Sequence, residues 1–295
     1  MIVADAFEIR PLRTYKEYLA CVALQDETWG ANFSERVPAA ILKVSQRIGG
    51  VTAGAFDGDD RLMGFVFGMT GVENGRLVHW SDMLAVRPEA RDSGLGNRLK
   101  QYQRDVVRAI GVSVIYWTFD PLVAKNAYLN FTKLGVRAVE YVRDMYGAET
   151  DSALHRGVGT DRLIAAWDIG ALEQRTSSER DPRRLLHVVE SAPVINREGS
   201  RIADFGFLHS GAESPNFARI QIPLDIQRVQ TESLESATAW RESSRSAFLA
   251  AFAAGYEIAG FYPDRHADAG YYVMTRKVTS SAGTAPNPPT ATTRR

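Results

Sequence analysis

Cysteine is almost absent: Cys21 is the only one in 295 residues. A single thiol closes no internal disulfide, so no disulfide framework is available. Histidine is also scarce, and His79, His155, His187, His209 and His266 are scattered. No Cys/His spacing matches a zinc site, so no metal is expected. An excess of either charge is missing too, with 35 basic and 35 acidic side chains. Duplex binding needs a basic surface to release counterions, which argues against nucleic acid as a partner. No stretch approaches the roughly 20 apolar residues that a membrane helix requires. The opening MIVADAFEIR lacks the basic start and apolar run of a signal peptide. The expectation is a cytoplasmic protein with no membrane partner. Cys21 lies near Tyr15, Tyr18, Leu19 and Val22 and reads as a packed thiol.

Apolar residues make up 45% of the chain, enough for a sizeable core. The length permits one large domain or two smaller ones. Residues 7–10 read as a short strand, and Tyr15–Trp29 as an amphipathic helix with Tyr15, Leu19 and Val22 on one side. Val51–Phe56 and Leu62–Met69 are apolar runs split by DGDD, the pattern of two antiparallel strands around a turn. Leu77–Val86 is a further strand. In Leu95–Ile110, Leu95, Leu99, Tyr102, Val106 and Ile110 recur at helical spacing, while Asn97, Gln101, Arg104 and Arg108 cover the other side. Val112–Thr118 reads as a strand buried on both faces. A short helix over Lys125–Leu134 and strands at Val136–Val142 and Leu163–Ile169 follow. The class is mixed α/β (α+β).

Composition changes after Ile169. Residues 171–184 include QRTSSERDPRR and read as a linker between a first domain, residues 1–170, and a C-terminal α+β region, residues 185–278. In that region Leu185–Val189 and Ala218–Ile222 look like strands. Thr231–Gly255 reads as one long helix with Trp240, Phe248 and Phe252 on a face, and Tyr256–Tyr262 and Tyr271–Lys277 as a strand pair. This order echoes residues 125–169 and suggests partial internal duplication, although no motif of fixed period repeats. Residues 279–295 are rich in Pro, Thr and Ser, and are expected to be disordered.

The stretch that carries chemistry is Met83–Lys100, MLAVRPEARDSGLGNRLK. Arg91, Asp92, Ser93, Gly94, Leu95 and Gly96 lie between a strand and a helix start. Glycines there let the backbone turn and approach a ligand. The first helix amides have no partner inside the helix, and with the helix dipole they form an anion site suited to a diphosphate. Arg91 adds a positive charge. Alone, a Gly-x-Gly before a helix also describes an ordinary strand–helix turn.

Two segments together resemble the GNAT superfamily of acyl-CoA-dependent N-acyltransferases. Val86 and Pro88 followed by Arg91, Gly94 and Gly96 match its first signature in order and spacing. Asn126 and Ala127, opening a helix that ends Lys133-Leu134-Gly135, match its second. TFDPLVAKNAYLNFTKLG is similar to a branch of predicted acetyltransferases with an extra C-terminal region, some of which act on amino acids. The resemblance covers about 160 residues well. It implies a GNAT fold, a mixed, mostly antiparallel sheet flanked by helices, with a C-terminal extension. It implies acetyl-CoA, or another acyl-CoA, as co-substrate and a small-molecule amine, such as an amino acid, as acceptor. Succinyl-CoA is an alternative donor, and a CoA-binding module without catalysis an alternative role. A homodimer remains open.

By the same resemblance, Leu84, Ala85 and Val86 offer backbone groups to the pantetheine arm, Arg91 to Gly96 with Asn97 hold the diphosphate, and Asn126 contacts the pantetheine. Asn126 also reads as a helix cap. The chemistry is attack of a neutral amine on a thioester. Deprotonating an alkyl amine of pKa about 10.4 at pH 7 costs about 4.6 kcal/mol, so a base is needed. Asp82 is the candidate base or ammonium partner, on the same side of its strand as Trp80 and Leu84 if that strand is regular; the branch implies His at this place. Phe131 stands where many members carry a Tyr that protonates the thiolate. Tyr128, one turn earlier, is the candidate acid, with Tyr146 a further phenol downstream.

Overall fold

The computed structural model describes residues 7–31, 33–147, 157–170, 191–196, 208 and 215–276. The expected linker 171–184, the strand at Leu185–Val189 and the tail 279–295 lie outside the described residues.

The first helix starts because Thr14 caps it. Glu17 N–H donates to Thr14 Oγ1 at 3.3 Å, and Thr14 N–H donates to Glu17 Oε2 at 3.2 Å. This reciprocal box satisfies two otherwise orphaned amides. The helix, α1 (Tyr15–Trp29), stops at Gly30, which takes φ +104°. Its buried residues are Tyr18, Cys21, Leu24 and Gln25, while Tyr15 and Leu19 are exposed. The face expected from Tyr15, Leu19 and Val22 is therefore not the core face. Gln25 decides the rotation: its amide is buried because it exchanges hydrogen bonds with both backbone groups of Val37. A second helix, α2 (Ala39–Arg47), buries Leu42 and leaves Ile41 and Val44 exposed.

Strands β1 (Glu8–Pro11), β2 (Val51–Phe56), β3 (Leu62–Glu73), β4 (Arg76–Val86), β5 (Val114–Phe119), β6 (Arg137–Val142) and β7 (Arg162–Asp168) form one sheet. Its spatial order is β1-β2-β3-β4-β5-β7-β6. Every neighbouring pair is antiparallel except β4 and β5, which run parallel. The long helix α3 (Leu95–Ala109) connects those two, as a parallel pair requires a crossover. On one face Tyr18, Cys21, Leu24 and Leu42 pack with Phe65, Phe67, Met83 and Ala85. On the other, Leu95, Leu99 and Val107 of α3 pack with Ile115 and Trp117. This is the mixed, mostly antiparallel sheet with flanking helices that the sequence led us to expect.

After β5 the chain forms α4 (Ala124–Ala127), which continues as a π-helix over Tyr128–Leu134. Gly135, at φ +66°, ends it, and β6 and β7 follow. The C-terminal region repeats this path. Strand β8 (Phe217–Pro223) leads into α5 (Ile226–Glu232) and α6 (Leu234–Ala253), then β9 (Tyr256–Asp264) and β10 (Ala269–Arg276). The helix expected over Thr231–Gly255 is α6, which starts three residues later, after Ser233, whose hydroxyl accepts from Ser236 N–H and caps it, and α5 precedes it. The spatial orders match: β5-β7-β6 in the first unit and β8-β10-β9 in the second. In each, the last strand lies antiparallel between the other two.

The two units also embrace reciprocally. The π-helix of the first lies on the sheet of the second, where Thr132 Oγ1 donates to Phe261 O at 3.1 Å and the Phe131 and Tyr272 rings meet edge to face at 5.9 Å. Helix α6 of the second lies on β6, with Phe248 stacked on Tyr141 at 5.4 Å.

Candidate active site

The parallel pairing of β4 with β5 covers three positions, Val78 with Val114, His79 with Ile115 and Trp80 with Tyr116. Past that rung the strands part. On β4 the segment Ser81 to Val86 pairs only with β3, and on β5 the residues from Trp117 on pair only with β7. A wedge therefore opens between them, with Ser81 and Trp117 as the first residues beyond its apex.

A β-bulge in β4 lies at the same place. Gly68 of β3 pairs with Ser81, and the next residue back, Phe67, pairs with Met83. Asp82 is the extra residue. A bulge shifts which face later side chains meet. Before it, His79 and Ser81 face α3, bonded to Gln103 and Lys100 respectively. After it, Met83 and Ala85 enter the core beneath α1 and α2, whereas Leu84 turns to α3, so that a Cβ built on Gly96 would meet Leu84 Cδ2 at 3.6 Å. The expectation that Asp82, Trp80 and Leu84 share one side is corrected accordingly: Asp82 keeps company with Trp80, and the bulge sends Leu84 to the opposite face.

The bulge also sorts the backbone. Arg87 N–H donates to Met63 O on β3, so strand alternation turns the amides of Leu84 and Val86 toward the open wedge and those of Ala85 toward β3. Ala85 is therefore turned from the cleft, contrary to the expectation for it, while Leu84 and the amide of Val86 face the open side. The Val86 carbonyl accepts from Arg91 Nε at 3.2 Å, which draws Arg91 across the strand end.

The loop that follows begins with a 3-10 turn at Pro88–Ala90. Ser93 Oγ donates back to Ala90 O at 2.7 Å. Asp92 and Gly94 both take positive φ, +59° and +81°, and Gly94 is the N-cap of α3. No side chain caps this helix end, so the first amides, from Leu95 on, are left for a ligand. Asn97 strengthens the point: its Oδ1 is buried and has no hydrogen-bond partner. A buried orphan acceptor is costly, and a donor brought by a bound molecule satisfies it. Lys125 reaches Asp92 at 3.7 Å, which sets the start of α4 beside the loop. Asn126 is exposed there, and Val123, not Asn126, holds the cap position. The residues present thus fit a diphosphate joined to an extended arm.

Asp82 is exposed to solvent, yet enough protein surrounds it that burial pushes its carboxyl above the usual range, opposed by a hydrogen bond from Trp80. On its side of the sheet, Trp80 and Tyr116 lie 6.5 Å apart. Thr118 Oγ1 and Tyr146 Oη are 3.0 Å apart, bringing Tyr146 to that face. Tyr128 is half-buried with Lys133 over its ring at 5.4 Å, and no hydrogen bond joins it to Asp82 among the described residues. Phe131 is buried between Phe119 and Tyr272 and serves the core.

Four side chains beneath the wedge, Thr70, His79, Gln103 and Lys100, had no role in the sequence reading. Thr70 donates its one hydroxyl hydrogen to Gly49 O at 2.6 Å. The 2.9 Å contact with His79 Nδ1 must then run from the ring, leaving Nε2 to accept from Gln103 Nε2 at 3.0 Å. His79 is accordingly neutral, and burial, aided by the Lys100 charge, pushes it down to about 4. Lys100 is buried, with Nζ donating to Ser81 Oγ at 2.7 Å and lying 4.0 Å from the Trp117 ring centre. Burial pushes it down to about 7. Cys21 is a packed thiol, pushed up to about 12 by burial. Among the described residues, no three His, Cys, Asp or Glu side chains gather as metal ligands, and no helix is long and apolar enough to cross a membrane.

No family model matches the chain, and no curated protein matches it. Solved structures do. The ribosomal-protein-S18-alanine N-acetyltransferase from Escherichia coli is similar over 58% of this chain and 98% of its own, with 18% identity and a TM-score of 0.44. A putative acetyltransferase of the GNAT family from Desulfovibrio desulfuricans is similar over 56% and 99%, with 19% identity and a TM-score of 0.43. An aminoglycoside 6'-N-acetyltransferase complexed with coenzyme A is similar over 57% and 99%, with 16% identity and a TM-score of 0.42.

Proposed function

We propose that the protein is an acyl-CoA-dependent N-acyltransferase of the GNAT type that moves an acetyl group from acetyl-CoA to the primary amine of a small molecule. The observation that carries this reading is the wedge. A bulged β4 with an unpaired edge from Ser81 to Val86 runs straight into an uncapped helix start at Gly94. An extended pantetheine arm adds to that edge as a strand would. Leu84 and Val86 supply its backbone partners, the amides from Leu95 on and Arg91 hold the diphosphate, and Asn97 and Asn126 flank the arm.

The acyl group then lies at the apex, beside the bulge. Amides on β4 are positioned to meet the oxyanion. The acceptor enters from the face of Trp80, Asp82, Tyr116 and Tyr146. Aromatic faces and a carboxylate suit a cationic amine before it loses its proton. Asp82, with its carboxyl raised, takes that proton or pairs with the ammonium.

The test is a panel of amino acids and polyamines offered with acetyl-CoA or succinyl-CoA, read by release of free thiol. Thiol release that depends on the amine supports the reading, and the preferred donor identifies the acyl group. Tight acetyl-CoA binding with no consumption across the panel would leave a binding module instead.

A further inference from the structure

Lys100 has no place in the scheme above, yet it occupies the apex of the wedge. It sits on α3 and spans the two strands at the first position past their last shared rung, touching Ser81 of β4 and the ring of Trp117 of β5. The Trp117 ring is itself fixed, because its Nε1 donates to Asn130 Oδ1 at 3.2 Å. The ammonium group is therefore held in place from both strands. Its neighbours include neutral His79 and Gln103, burial lowers its own pKa, and among the described residues no carboxylate pairs with it. A buried cation without a carboxylate partner is expensive, which asks for an anion that arrives with the ligand.

The phenol that would protonate a departing thiolate from the following helix is missing, since Phe131 is there and is packed into the core. Resting on the acyl-CoA reading above, we propose that Lys100 meets the sulfur of the bound thioester and donates the proton that the departing CoA thiolate needs. The step balances as follows. The acceptor nitrogen forms a bond to the carbonyl carbon, the carbon–sulfur bond breaks, and its electron pair stays on sulfur. A proton passes from Lys100 Nζ to sulfur, giving the free thiol and a neutral lysine. The proton lost by the acceptor nitrogen leaves through Asp82 or water, and Lys100 is recharged from solvent when CoA departs. A lysine near 7 is a stronger acid than a thiol near 8.5, so the transfer runs downhill. Ser81 and Trp117 act as positioning residues for it.

The experiment needs no acceptor. Calorimetry compares CoA with desulfo-CoA on wild type and on Lys100→Met at pH 8. Wild type should hold CoA about fivefold more tightly than desulfo-CoA, as one net hydrogen bond between Lys100 and the sulfur supplies. Lys100→Met should bind both alike. An equal preference for CoA in both proteins overturns the role of Lys100 while leaving the CoA site intact. Should the variant fail to hold desulfo-CoA, wild type alone decides, because equal affinity for CoA and desulfo-CoA removes the proposal. Wild type that binds neither ligand overturns the acyl-CoA reading itself, and the proposal with it.

Discussion

Arg241 Nη2 donates to Asp120 Oδ2 at 2.7 Å across 121 positions of sequence. Both residues are buried. Asp120 follows β5 directly, and its Oδ1 accepts from Leu122 N–H and so forms the turn into α4. Arg241, on α6, also donates to Val158 O at 3.1 Å. One ion pair thus ties the C-terminal unit to the turn that positions the second wall of the wedge. Removing one partner strands the other charge in the interior, which costs about 3–5 kcal/mol. Asp120→Ala should lose about that much in urea denaturation. An effect within error would show that the pair contributes nothing to stability.

Gly94 is held at φ +81° with open space around it. Gly94→Ala should therefore cost only about 1–2 kcal/mol, from the left-handed backbone. Gly94→Glu should fold as well as the Ala variant, yet, on the proposed acyl-CoA site, lose acetyl-CoA binding by calorimetry, because its carboxylate would meet the diphosphate. Wild-type affinity in Gly94→Glu would remove the loop from the site.

Asp82→Asn separates two roles. Loss of a base should lower kcat about 10²–10⁴-fold with a modest change in KM, and activity should recover at a pH where the amine is already neutral. Loss of an ammonium partner should raise KM instead. Stability should not suffer. The folded carboxyl is raised, so its neutral form is the favoured one. That stabilisation is complete below the unfolded value and is lost as pH rises through the folded one. At pH 7 the Asn variant should be at least as stable as wild type. A clear loss of stability at pH 7 would contradict the direction of the shift.

Lys100 makes stability depend on alkaline pH. Its folded value is depressed from 10.5 to about 7. Above the unfolded value the side chain is neutral in both states and the penalty vanishes. As pH falls from there toward 7 the penalty grows, to at most about 5 kcal/mol. Lys100→Met should thus be more stable than wild type at pH 7, with the gap closing toward pH 10.5. A gap that does not change with pH would mean that Lys100 keeps its proton in both states. His79, depressed from 6.5 to about 4, works the same way over its own range, so wild type should weaken as pH falls from 6.5 to 4.

The central strands of the large sheet were legible as apolar runs bounded by turn residues, as at Val51–Phe56, where the reading and the structure agree at both ends. Helix α2 was not read, because Ile41, Val44 and Ile48 face outward and bury nothing. The face of α3 was misjudged for the opposite reason. Val106 and Ile110 are exposed, while Lys100 and Gln103 are buried, because Ser81 and His79 offer polar partners that apolar periodicity does not register. The glycine loop was visible as a pattern. The bulge at Asp82 was not, since an extra residue in one strand is defined only by the register of its neighbour.

The reciprocal packing of the two βαββ units has a consequence for how the chain reaches its folded state. Thr132 bonds to Phe261 O, Asp120 to Arg241, and Tyr272 Oη to Pro121 O, with 129, 121 and 151 positions between the partners. Contacts this distant in sequence must wait for the loop between them to close, which slows folding. During synthesis the N-terminal portion emerges first. Its β5–α4 turn and π-helix nevertheless lack their final neighbours until β10 has left the ribosome. The wedge therefore completes its far wall late, and Phe131 lacks the cover of Tyr272 until β10 has been made.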